Sequence, residues 1–413
     1  MPAGRPFEDV RVEGHLIDSG IVSHIMDDIM DLEGEFETLR FDVGRTNEDT
    51  SVAELRVFGK DETHLAGILI AIQEHGAVPL DPGDAVLQPA PADGVFPDDF
   101  YSTTNLETFV RLSGRWVRVA YPEMDLGVRV DTGAGMAEGV PMGAVRAGDL
   151  FVVGRQGLRV APNERPRESQ AFEFMGSEVS SEKPKAYIVR EVARVLRDVR
   201  GEGRDVIAVA GPAVVHTGAA GHLARLVELG YVSVLFGGNA VAVHDIEWAL
   251  YGTSLGVLLE EGLPVPGGHE HHLRAVNTIR RHGGIRQAVE AGVLTKGLMH
   301  TLVATGTPFV LAGSIRDDGP LPEVITDAIE AQEAMRRHAR EAGACLMLST
   351  MLHSIATGNM LPASVHTVCV DINPAVVTKL ADRGSWQTMG VVTDVGLFLE
   401  QLAEELRGRS PMP

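Results

Sequence analysis

The string SIRDDGPLP (314 to 322) sets Arg316, Asp317 and Asp318 side by side. Adjacent carboxylates hold their protons unequally, so one can accept a proton while the other stays ionised, which is the requirement for general acid/base work. The competing reading is a turn, because Asp-Gly-Pro favours one. A second group stands at 178 to 183, where Glu178, Ser180, Ser181, Glu182 and Lys183 precede a helical pattern. These residues either serve an active site or end a solvated segment, with Ser180 or Ser181 as a helix cap. GGHEHH (267 to 272) has metal-ligand residue types but lacks paired histidines four apart around a glutamate, and neither cysteine stands near it in sequence. No metal is expected there.

These groups need elements to hold them, and the C-terminal half supplies a regular series. VLFGGNA (234 to 240), FVLAGSIRDD (309 to 318), CLMLSTMLHS (345 to 354), the run from Val368 to Pro374 and VVTDVGLF (391 to 398) are short apolar runs that stop at small or acidic residues just before helical patterns. Strands alternating with helices from Tyr187 onward predict a parallel sheet covered on both faces. In such a sheet the strand ends share the carboxyl edge, where backbone N–H groups and helix N-termini suit a dinucleotide. Gly237 and Gly238 permit close approach of a ligand. Asn239 either caps a helix or bonds a cofactor. Asp371 is placed like the acidic residue that binds a ribose diol or, alternatively, caps the helix opened by Asn373 and Pro374; Asp394 repeats the pattern one strand on. Ser349 and Thr350 open a helix suited to phosphate, and His353 faces either the crevice or the core. The GxGxxG fingerprint is absent, since the strand 205 to 215 leads into GPAVVHTGAAG with other glycine spacing. The pattern reads as an enzyme with a nicotinamide cofactor.

The chain's 413 residues and 44% hydrophobic content allow a large core. A formal charge of −21 disfavours nucleic acid and anionic membranes, and points to small-molecule ligands. Only Cys345 and Cys369 occur, each in an apolar run, which suits reduced thiols in a cytoplasmic protein. No segment offers the ~20 apolar residues that cross a bilayer, nor an apolar leader before Val10, so neither membrane insertion nor secretion is expected. RVEGHLID (11 to 18), a helix over 21 to 32, FETLRFDV (36 to 43), SVAELRVFG (51 to 59) and a helix over 62 to 74 form a β-α-β-β-α series, the ferredoxin-like plan. Proline and glycine between 79 and 97 suggest a linker, and 100 to 159 reads as a small β-rich element. The expected division is 1–95 ferredoxin-like, 96–180 β-rich and 181–413 an α/β cofactor-binding catalytic domain.

VSSEKP, FGGNA, GGHEHHLRAVNTIRRHGGI, LAGSIRDDGPLP, MLHSIATGNMLPA, VDINPAVVTKLADRG and VVTDVGLFL together resemble the archaeal-type ornithine cyclodeaminase family, across nearly the whole chain. That family shares its N-terminal region with bifunctional lysine-oxoglutarate reductase/saccharopine dehydrogenase. Related sequences form the C-terminal half of cyanobacterial arginine-degrading enzymes, for whose dihydrolase domain this chain has no room. The resemblance implies a deoxyhypusine synthase-like NAD-binding fold, which accounts for the missing fingerprint. It further implies a homo-oligomer converting L-ornithine to L-proline and ammonia with NAD recycled. NAD contacts are implied at Asn239, Ala240, Asp317, Thr350, Met351, Leu352, His353, Asp371, Asp394 and Val395. The chemistry asks for an acid/base group, nominated as Asp318 or Glu182, and a carboxylate anchor, nominated as Lys183 or Arg316. Two other readings stay open: an NAD-dependent amino-acid or saccharopine-type dehydrogenase, and a non-catalytic NAD or metabolite sensor.

Overall fold

Alternation decides the first elements. In the computed structural model, which describes residues 5–16, 20–44, 49–73, 75–80, 82–161, 185–258, 268–317, 319–382 and 388–407, β3 (Ser51–Phe58) buries every second side chain. It pairs antiparallel with β1 (Phe7–Gly14) and with β2 (Glu35–Asp42), and β1 pairs with the short β4 (Val78–Pro79). The order β2-β3-β1-β4 is that of the ferredoxin-like plan. Helices α1 (Ile21–Asp31) and α2 (Glu62–Gln73) bury Ile25, Ile29, Leu65 and Ile68 against Val10, Leu55 and Val57. β1 begins at Phe7, four residues before the sequence pattern suggested, because Phe7 and Asp9 lie on the more exposed face and so do not mark the strand by burial.

The 79–97 segment is not merely a linker. It contributes β5 (Val86–Pro89), an edge strand of a second sheet, where a proline removes no interior ladder bond. The other strands are β6 (Thr108–Leu112), β7 (Arg115–Ala120), β8 (Gly127–Asp131), β9 (Met136–Val140), β10 (Leu150–Val153) and β11 (Leu158–Val160), in the order β11-β6-β7-β9-β8-β10-β5. Val110, Val119, Val128, Val152 and Leu158 make its core. Buried Gln73 Nε2 donates to the Leu158 carbonyl (2.9 Å), tying α2 to this sheet.

Residues 1–173 and 174–413 form separate compact units. The second is built on a seven-stranded parallel sheet: β12 (Asp205–Ala210), β13 (Val234–Gly238), β16 (Phe309–Ala312), β17 (Val324–Ile325), β18 (Ala342–Leu348), β19 (His366–Asp371) and β20 (Thr388–Val392), with a small hairpin of β14 (Thr253–Ser254) and β15 (Val257–Leu258) beside it. All seven residues of β18 are buried, as a strand covered on both faces requires. On one face α3 (Lys185–Gly201), α5 (Ala220–Glu228), α9 (Leu298–Thr305) and α13 (Val395–Arg407) pack together; on the other lie α10 (Ala328–Ala339), α11 (Leu352–Met360) and α12 (Pro374–Asp382).

The sheet order is β17-β16-β13-β12-β18-β19-β20. From β12 the chain winds outward through β13 and β16, then returns to the other side of β12 with β18. That is the Rossmann order with β17 added, and its switch point lies between β12 and β18. The strand expected over 205 to 215 ends at Ala210, and α4 (Ala213–His216), a single helical turn, follows. Here the local apolar run AVV was misleading: Val214 and Val215 are buried on a helix, not in the sheet.

Candidate active site

The switch point is closed tightly by backbone. Gly211 N–H donates to the Leu348 carbonyl (3.0 Å), and Ser349 N–H to the Val370 carbonyl (2.9 Å). Ser349 takes a left-handed φ of 49°, and a Cβ on Gly211 would overlap its carbonyl oxygen. A single glycine thus provides the close approach that a GxGxxG turn would supply with three. The His353 ring, just beyond β18, reaches across the end of β12 to Gly238 on β13, where an added Cβ would stand 3.5 Å from its Cε1. Burial lowers the pKa of His353, so the imidazole at this edge is neutral at neutral pH.

The sequence-nominated residues take distinct roles. Asn239 neither caps a helix nor stands free: its Oδ1 accepts from Leu321 N–H at 3.0 Å, and Gly238 is the cap position of α6 (Asn239–Tyr251). Ala240 follows in the first turn. Asp317 Oδ2 accepts from Ser314 N–H (2.8 Å), the turn that its composition suggested, and Arg316 is exposed beside it. Asp371, 9% exposed, accepts from Asn373 N–H (2.8 Å). Asp394, exposed, accepts from Leu397 N–H (2.9 Å) and so caps α13, of which Val395 is the buried first residue. Asp317, Thr350, Met351, Leu352, His353, Asp371 and Asp394 all follow or end strands at the carboxyl edge, as does Asn239. Glu182, Lys183 and Asp318 lie outside the described residues.

A dinucleotide fits this edge. It needs apolar surface for its rings, and Leu352 (75% exposed), Ile372 (73%) and the fully exposed Ile315 stand at the ends of β18, β19 and β16. It needs polar groups at a helix start, and on α11 the Oγ of Ser354 is wholly buried with no hydrogen-bond partner among the described residues.

Sequence reading missed a polar array between α4, α6 and the hairpin. Glu247 is 0% exposed, and its carboxylate accepts from His244 Nδ1 (3.2 Å), Thr253 Oγ1 (3.0 Å), Leu255 N–H (3.1 Å) and Gly256 N–H (2.9 Å). Burial alone would raise its pKa; these donors outweigh that and hold it below the ordinary glutamate value. Thr253 has one proton, given to Glu247, so its oxygen accepts from His271 Nδ1 (2.8 Å). His216 shares a 2.8 Å hydrogen bond with Ser254 Oγ and packs its ring 4.8 Å from that of His244. The only sequence signal was His244 and Glu247 three apart on one helix, which is too common to select. Of the GGHEHH string, Glu270 pairs with Arg274 and His271 joins this array; among the described residues no three ligand-type side chains gather as a metal site. Nor is any described helix long and apolar enough to cross a membrane.

Comparison with known proteins places the whole chain. Residues 190–402 match the model of the "Arginine dihydrolase ArgZ-like, C-terminal, Rossmann fold" family, 107–189 the first region of the same C-terminal part, and 7–106 the "LOR/SDH bifunctional enzyme conserved region". A protein of Methanopyrus kandleri named ornithine cyclodeaminase is 53% identical over 401 residues, 97% of either chain. The crystal structure of a conserved putative LOR/SDH protein from Methanococcus maripaludis S2 is 50% identical, with a TM-score of 0.75 over 79% of this chain and 99% of that one. A structure described as the ternary complex of AgrE with ornithine and NAD+ is 46% identical, with a TM-score of 0.53 over 98% of this chain and 58% of that one.

Proposed function

The chain belongs to the ArgZ-like C-terminal family, whose full-length archaeal relatives are named ornithine cyclodeaminase, and from that premise we propose that it converts L-ornithine to L-proline and ammonia with NAD as a recycled cofactor. The observation that carries the reading is likeness along the entire chain, 53% identity across 97% of both sequences. The Rossmann order and the fitted switch point supply the setting.

Bound NAD would supply the redox chemistry, taking the hydride from the ornithine Cα and giving it back to the ring carbon. The chain's residues do the rest. Asp371 is assigned to a ribose diol, and the start of α11, from Thr350 to His353, to phosphate. Asn239 holds Leu321, after β16, and Arg316 and Asp317 follow the same strand end. Arg316 or Lys183 is assigned to the substrate carboxylate, and Asp318 or Glu182 to the proton of the α-ammonium group, removed before hydride loss and returned to the proline nitrogen. Water must be kept out while the imine exists, since hydrolysis would give a keto acid. Buried Cys345 and Cys369, the latter with its pKa pushed up to about 12 by burial, suit a reducing cytoplasm. We assign the working form to a homo-oligomer.

The test is incubation of the protein with L-ornithine and a catalytic amount of NAD+, following proline, ammonia and NADH together. Equal proline and ammonia with no net NADH is the expected result. Stoichiometric NADH would make it a dehydrogenase, and NAD binding without product a sensor.

A further inference from the structure

Cyclisation of ornithine involves two nitrogens, and their protons balance separately. The α-nitrogen loses a proton before hydride loss, and the proline nitrogen regains one at the end; a single carboxylate closes that exchange. The δ-nitrogen is a second matter. It arrives as an ammonium, which has no lone pair for ring closure, so a separate base is required on its side.

The structure assigns that task to His216, with Ser254, His244 and Glu247 as positioning residues; this rests on the cyclodeaminase reading. His216 follows β12 at the carboxyl edge and is half-buried, whereas His244 and Glu247 behind it are buried. One ring nitrogen is held by Ser254 Oγ at 2.8 Å, which leaves Nε2 as its working atom. The ring rests 4.8 Å from His244, which Glu247 fixes in turn. Four donors saturate the Glu247 carboxylate, so it cannot take up protons itself and acts only as an anchor. This is the arrangement of a base oriented by a hydrogen bond to Ser254 and by packing against a ring that Glu247 holds.

The protons balance as follows. Neutral His216 takes a proton from the δ-ammonium, and the freed lone pair forms the new C–N bond to the imine carbon. The imidazolium passes its proton to the α-nitrogen, then takes another from the δ-nitrogen, whose lone pair expels ammonia. That proton leaves with ammonia as ammonium. His216 ends neutral, as it began. Burial first, and then the neighbouring His244, lower its pKa, against an opposing pull from Glu247, so the base is neutral at neutral pH.

The experiment compares wild type with His216→Gln and Ser254→Ala, each as full chain with saturating NAD+. For His216→Gln, kcat is expected to fall about 100-fold or more, with KM for ornithine and the NAD dissociation constant changed by no more than about threefold. The acid limb of the wild-type kcat profile should move down to the carboxylate range, where only the base for the α-nitrogen still titrates, and added imidazole should restore part of the rate. Ser254→Ala should keep that limb but shift its midpoint. The proposal is overturned if His216→Gln keeps more than about a tenth of kcat, if its acid limb stays where the wild-type limb lies, or if NAD binding falls in step with rate. Should His216→Gln not fold, an unmoved limb in Ser254→Ala overturns it equally. Proline from wild type separates the two readings: without it the ornithine assignment fails, and with it only the role of His216 is at stake.

Discussion

Asn239, the first residue of α6, accepts a hydrogen bond from the backbone N–H of Leu321 through its Oδ1 at 3.0 Å. The loop after β16 is thereby pinned to the end of β13. Both groups are buried, so the bond is screened little by water and its loss leaves an orphaned N–H. A residue that sequence suggested as a cofactor contact thus acts first on the loop that carries Arg316 and Asp317.

Replacing Asn239 by alanine should cost about 1–3 kcal/mol, the cost of an unsatisfied buried donor. Asp at the same position keeps an acceptor and should cost less. Urea unfolding of both variants checks the difference. If Asn239→Ala and Asn239→Asp were equally destabilised, the Leu321 bond would not be the reason for Asn239.

Gly211→Ala tests the switch point. Its Cβ would meet the Ser349 carbonyl oxygen, which is backbone held by the Ser349 N–H bond to Val370, so the overlap is relieved only by moving β12 and β18 apart. Widening the crevice should weaken NAD binding by about tenfold or more, an effect of at least 1.4 kcal/mol. Fluorescence titration with NADH would show it; unchanged affinity would place the dinucleotide elsewhere.

The parallel sheet was legible because period and composition agree: β18 is apolar throughout and β19 from Val368 to Val370, and β19 stops at Asp371, whose carboxylate accepts from Asn373 N–H in the next turn. Asp371 and Asp394 could be located for that reason, but not told apart, since capping and ribose binding ask for the same residue in the same place. The Glu247 array was not legible. Its members lie at 216, 244, 247, 253, 254 and 271, and only the fold joins them. β5 was hidden by its proline, which signals a break everywhere except at a sheet edge.

Asp371 and Asp394 are separable by experiment. Asp394 is exposed and caps α13, so Asp394→Ala should lower stability by about 1 kcal/mol. Asp371 is 9% exposed and commits Oδ1 to Asn373, leaving Oδ2 for a diol. Asp371→Ala should therefore raise the NAD dissociation constant by more than Asp394→Ala does. Equal effects in isothermal titration would count against the ribose assignment.

Asp245 gives a pH-dependent prediction. It is fully buried on α6, and its two oxygens accept from the N–H groups of Leu298 and Met299, both at 2.8 Å, at the start of α9. Burial raises its pKa from 3.8 to about 6, with these two N–H bonds opposing. Between those values the folded chain keeps a proton that the unfolded chain has released. Stability from this group is therefore full below about pH 4 and falls as pH rises to about 6, by roughly 3 kcal/mol. Asn at 245 does not titrate, yet it offers one acceptor where two N–H groups point, so it should be destabilising at every pH. Its deficit relative to wild type should be largest near pH 4 and shrink as pH passes 6. Paired urea titrations at those two pH values measure this directly, and a deficit constant with pH would show that Asp245 holds no raised pKa.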